Sequence, residues 1–136
     1  MAGMTTKLVL QYFESQDVKA QQLEDTLIRA GWDFEGGSLM IFLDFDESET
    51  HVHLEGIDFI NVPENKFGAM YEVLNDCNDL YSHIKFVLDK EHGQIVARDD
   101  DVISLDSCGP ECFELMIRML KVVEDAYPKF MKALWA

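Results

Sequence analysis

The chain has 136 residues and carries 26 acidic against 11 basic side chains, a formal net charge of −15. A field of that sign repels phosphate backbones and anionic headgroups, so nucleic acid and membrane surfaces are excluded as expected partners. The hydrophobic fraction of 48% is that of a globular protein, and a chain of this length buries roughly two thirds of its unfolded surface without needing a disulfide or a metal.

The apolar runs, such as Leu39-Met40-Ile41-Phe42-Leu43, are short against the ~20 residues of a membrane span. Met1 to Thr6 lacks the basic-then-apolar pattern of a signal peptide. Three cysteines, Cys77, Cys108 and Cys112, argue against a disulfide framework in such a chain. Cytoplasmic residence is expected. No repeat or linker divides residues 1–136, and one domain is expected.

In chain order, Leu8, Val9, Tyr12 and Phe13 have helical spacing within Met4 to Gln16. Asp17 to Asp25 is polar and reads either as a helical extension or as an irregular crossover. From Thr26 the period becomes two. Ile28, Ala30, Trp32 and Phe34 form one row of a first strand, and the turn Glu35-Gly36-Gly37-Ser38 follows. Leu39, Ile41, Leu43 and Phe45 face inward on a second strand. Val52 and Leu54 do so on a third, and a parity change to Ile57 and Phe59 after Gly56 suggests a β-bulge.

Pro63 opens a second helix with a stripe of Phe67, Met70, Tyr71, Leu74, Cys77 and Tyr81. Lys85 to Asp89 and Gln94 to Arg98 form a hairpin, with Phe86 and Leu88 in parity with Ile95 and Ala97. A long helix from about Pro110 ends the chain, and Pro128 should kink or split it. The order α-β-β-β-α-β-β-α describes an α+β fold, an antiparallel sheet with helices packed mainly on one face.

Most motifs that could carry chemistry read as structure. Asp44, Asp46, Ser48 and Glu55 fall at calcium-loop positions, but Glu49 stands where that loop needs glycine. A charged hairpin turn accounts for them. His51 and His53, with Glu55 following, share one strand face but span too far to hold one zinc ion. Asp99-Asp100-Asp101 reads as a solvated loop. Cys108-Gly109-Pro110-Glu111-Cys112 has one residue more than a Cys-Gly-Pro-Cys redox motif, and Cys112 is expected to face the core. No catalytic residue, metal or cofactor is expected, and the chain is not read as an enzyme.

The second strand is different, because its other row, Met40 and Phe42, is also apolar. Leu27 joins this row from the strand before it. An apolar patch on the outer side of a sheet marks a partner surface, unless Asp17 to Asp25 or the last helix covers it. Leu27, Met40 and Phe42 are therefore the candidate interface residues.

The element order, the segment Val73-Leu74-Asn75-Asp76-Cys77-Asn78, the hairpin Lys85 to Arg98 and Asp125-Ala126-Tyr127-Pro128 resemble the YbjN domain family, which has the type III secretion chaperone-like fold. The likeness is clearest from Pro63 onward. It implies no enzymatic activity and no transferable binding residues. It implies a regulatory or chaperone-like domain that binds protein, either a partner or a second copy in a homodimer. The alternative is a small-molecule, metal or redox sensor using a sheet–helix pocket or the Cys108 and Cys112 thiols.

Overall fold

Period-two alternation puts the apolar rows of consecutive strands on one side of a sheet, and helical stripes close over that side. The computed structural model describes residues 3–136. Helix α1 (Met4–Ser15) precedes four strands: β1 (Ala20–Glu24), β2 (Leu27–Phe34), β3 (Gly37–Phe45) and β4 (His51–Ile57). A 3-10 turn at Glu64–Lys66 leads into α2 (Phe67–Leu80), followed by β5 (Lys85–Asp89), β6 (Gln94–Val102) and α3 (Cys108–Trp135). The sheet order is β1-β2-β3-β4-β6-β5, with every neighbouring pair antiparallel.

The inner rows of β2, β3 and β4 meet Val9 and Phe13 of α1, Met70 and Leu74 of α2, and Met116, Met119, Val123 and Phe130 of α3 in one core cluster. All three helices thus share one face of the sheet. Each fully buried Leu, Ile, Phe or Met contributes about 1.5–3 kcal/mol through loss of apolar surface to water. The β5–β6 pairs Phe86↔Ala97 and Leu88↔Ile95 have the parity expected from sequence.

Four expectations need correction. Asp17 to Asp25 is neither helix nor irregular crossover. After a turn at Asp17, where φ is +59°, Ala20–Glu24 forms edge strand β1. Its residues are almost all exposed, so it has no apolar row to announce it. Gly56 does not reverse strand parity. It stays on the inner face opposite Ile41, and Ile57 faces outward opposite Met40. The irregularity comes one residue later, at Asp58 (φ +62°), after which Phe59 turns into the core.

Asp99-Asp100-Asp101 is part of β6, not a loop. The strand's alternation sends Asp99 and Asp101 inward, where Arg118 Nη2 donates to Asp99 Oδ2 at 2.7 Å and Asp101 Oδ2 at 3.1 Å. Asp100 faces outward. Finally, α3 is not split at Pro128 but is helical from Cys108 to Trp135. The missing proline N–H costs one backbone bond, while buried Val123, Ala126 and Phe130 anchor the helix on both sides.

The segment Cys108-Gly109-Pro110-Glu111-Cys112 is a packing device. A Cβ on Gly109 would stand 2.6 Å from Tyr12 Cβ, so only glycine lets α1 approach here. Pro110 lies in the first turn, where a helix has no use for its N–H. Glu111 Oε1 accepts from Ser107 Oγ at 2.8 Å and Ser104 N–H at 2.9 Å, which fixes the helix start.

The sheet's two edges are treated differently. At β5, Asn78 of α2 acts as a substitute strand: Phe86 N–H donates to its Oδ1 at 2.7 Å, and its Nδ2 donates to Phe86 O at 3.0 Å. Lys85 Nζ closes the same helix end by donating to the carbonyls of Asn78 and Tyr81. No helix side chain performs this service at β1 among the described residues. Instead a register shift between Gln22 and Glu24 interrupts that edge, a device that blunts strand pairing.

Asn78→Ala leaves both Phe86 backbone groups without their partner. It should lower stability by about 1–3 kcal/mol, measured by urea unfolding; an unchanged midpoint would show that the clamp contributes nothing.

Burial at Asp99 disfavours its charge and raises its pKa despite Arg118. A raised native pKa means that this group's stabilising contribution is full below its unfolded pKa and is lost as pH rises through the native value. Arg118→Met should therefore cost about 3 kcal/mol at neutral pH. The deficit relative to wild type should shrink as pH falls through the carboxylate range. A pH-independent deficit would contradict the role given to Asp99.

Candidate functional site

The face opposite the helices carries its own apolar row. Strand pairing places Met40 between Gly31 and Ile57, Phe42 between Arg29 and Glu55, and Leu27 beside Asp44. Leu27, Met40, Phe42 and Ile57 are half-buried, and none belongs to the core cluster or packs against it. Gly31 supplies no side chain, so the thioether of Met40 can lie over it: a Cβ there would be 3.5 Å from Met40 Cε. Farther across the sheet, Val96 pairs with Val87. Val96 is buried yet also outside the core cluster.

The structure thus brings all three sequence-nominated residues to one surface. Neither segment that might have covered them does so, because β1 extends the sheet edge and α3 packs on the inner face. Leu27, Phe42, Asp44, His53, Glu55 and Ile57 line a depression of about 290 Å³ on this side. Ile57 was missed in the sequence because its parity was taken to change at Gly56. Uninterrupted alternation from Val52 would have placed it here.

The polar groups around the row are mostly engaged. Arg98 Nε donates to Glu55 Oε1 at 3.0 Å, and His53 Nδ1 lies 2.7 Å from Asp100 Oδ1. His51 turns instead to Asp46, at 3.2 Å. The two imidazoles therefore have separate partners. Among the described residues, no three His, Cys, Asp or Glu side chains are placed to hold a metal ion. The Asp46 carboxylate organises the β3–β4 turn. Its bond from Ser48 Oγ, with backbone N–H groups of His51 and Thr50, lowers its pKa to about 2. Of the residues that matched a calcium loop, Asp46 and Ser48 are tied up in the hairpin turn, while Asp44 and Glu55 lie in the flanking strands, bonded to Thr26 and Arg98.

The thiols are closed off. Cys77, Cys108 and Cys112 are all buried and unpaired. Burial pushes each thiol pKa up, most of all that of Cys112, where neighbouring Cys108 and Glu111 add to the effect. Thiolate, the reactive form, is suppressed at all three.

With this geometry in place, comparison with known proteins decides the family. The family described as "putative bacterial sensory transduction regulator", YbjN, matches residues 5–130. The chain belongs to the YbjN family. The crystal structure of YbjN from E. coli is similar, with a TM-score of 0.65 and 9% identity, covering 91% of this chain and 92% of that one. A chain of the ExsC–ExsE complex matches at TM-score 0.58 and 17% identity, covering 91% and 92%.

A chain of the HopA1–SchA chaperone–effector complex matches at 0.55 and 14%, covering 94% of each. At these identities the likeness establishes the fold, which is the α+β type III secretion chaperone-like one. Among curated proteins no relative matches. No helix among the described residues is long and apolar enough to cross a membrane.

The thiol geometry makes its own prediction. At pH 8, iodoacetamide should leave Cys77, Cys108 and Cys112 of the native protein unmodified for as long as it takes to label all three in urea. Rapid native labelling of Cys108 or Cys112, read by mass spectrometry, would revive the redox-sensor alternative.

Proposed function

We propose that this YbjN-family chain is a single, non-catalytic, cytoplasmic protein-binding domain. It holds a partner, or a second copy of itself, against the helix-free face of its sheet. The observation that carries the reading is the apolar row of Leu27, Met40, Phe42 and Ile57 on a face that no helix covers. Large apolar side chains there gain by leaving water, and aromatic and methionine anchors are frequent at interface centres.

The fold supports the same reading, since similar folds occur in a chaperone–effector complex and in the ExsC–ExsE complex. The charge of −15 keeps such a domain soluble despite its apolar face. The sensor alternative gains no support from the thiols, which are buried.

The test is Met40→Asp combined with Phe42→Asp. Both side chains point away from the core, so circular dichroism should remain native. Each buried anchor of this kind is worth about 2 kcal/mol or more, so homodimer formation by light scattering, or partner capture, should be lost. A wild-type protein that is monomeric at all concentrations, with capture unaffected by the double substitution, would refute the reading.

A further inference from the structure

On the helical side of the molecule, Val73, Asp76, Cys77 and Leu80 of α2 face Lys129 and Lys132 of α3 across a groove of about 310 Å³. The α2 residues follow helical i, i+3, i+4 and i+7 spacing, forming a stripe beside the core stripe and sharing Cys77 with it. Leu80 is 63% exposed, a large apolar side chain left to water. The lysines stand three residues apart, so both heads reach the same side of α3.

Arg29, Arg98, Arg118, Lys66 and Lys85 all donate to protein oxygens, and Lys90 lies over the Tyr71 ring. Lys7, Lys19, Lys121, Lys129 and Lys132 lack a side-chain hydrogen-bond or ion-pair partner among the described residues, and the last two of them line this groove. Their place near the end of α3 complements its dipole. That explains two positive charges there, but not the exposed Leu80 beside them. Asp76 is the one acid in the lining, and it sits on the α2 wall, so an anionic head is directed toward the α3 side.

We propose that this groove is a second site, separate from the sheet face, for a small amphiphilic carboxylate. Its apolar body would lie on Leu80 and the half-buried Val73, and its head would be held by Lys129 and Lys132. The groove's volume lies at the lower end of the ~300–1,000 Å³ of small-molecule sites, and the two lysine heads beside its apolar wall select an anionic amphiphile.

Decanoate, titrated calorimetrically into the full chain below its micellar concentration, tests this. Wild type should bind it saturably and more tightly than decanol or decylammonium. Lys129→Ala with Lys132→Ala should weaken binding about tenfold, and Leu80→Asp should abolish it. Both changes are at exposed positions, and circular dichroism checks the fold. Phe42→Asp should leave binding intact. The proposal is overturned if decanoate does not bind, if decanol or decylammonium binds equally well or better, if the lysine or leucine variants bind like wild type, or if Phe42→Asp removes the site.

Discussion

Over Gly56 the side chains of β3 and α3 pack so closely that a Cβ would stand 2.9 Å from Leu39 Cδ1 and 3.1 Å from Met119 Sδ. A larger residue there would displace the Leu39 and Met119 side chains that fill the space between β4 and α3. This packing lets Met116, Met119 and Val123 reach the inner rows of the central strands. With α1 and α2 joining the same cluster, the apolar stripes of all three helices are spent on one face. A strand's side chains alternate between faces, so what remains on the other side is fixed by sequence parity alone. There Leu27, Met40, Phe42 and Ile57 replace the polar residues that a solvated face would carry.

Much of this was legible in the sequence, and the reasons are local. Inner rows such as Leu39, Ile41, Leu43 and Phe45 show because alternation is strict and one face is buried. The interface candidates show because Met40 and Phe42 break the polar half of that alternation. What stayed hidden depended on distant partners or on having no buried face. Strand β1 has almost nothing buried, and its only signature is pairing with β2. The aspartates of β6 look like a loop until Arg118, on another element, is seen to neutralise Asp99 and Asp101. Gly56 was misread as a bulge because a glycine in a strand signals either a bulge or a close approach, and only the position of α3 distinguishes them.

The family motif and the cysteine motif teach a similar lesson. Asn78 closes the β5 edge by pairing with Phe86, so its value lies in edge protection. Cys108 to Cys112 follows the contact of Gly109 with Tyr12 and the helix start at Ser107 and Glu111. Both motifs serve architecture. With those residues, the thiols and the histidine–aspartate pairs accounted for structurally, the helix-free face remains the largest apolar row whose composition the fold does not explain, beside the smaller α2–α3 groove.

Hydroxyl-radical footprinting of the full chain tests that claim most directly. In dilute protein, Leu27, Met40 and Phe42 should be modified far faster than Leu39, Ile41 and Leu43 of the inner rows. Their labelling should fall selectively as concentration rises or a bound partner is added. An outer row as protected as the inner row in dilute monomer, or one whose labelling ignores both concentration and partner, would contradict the account.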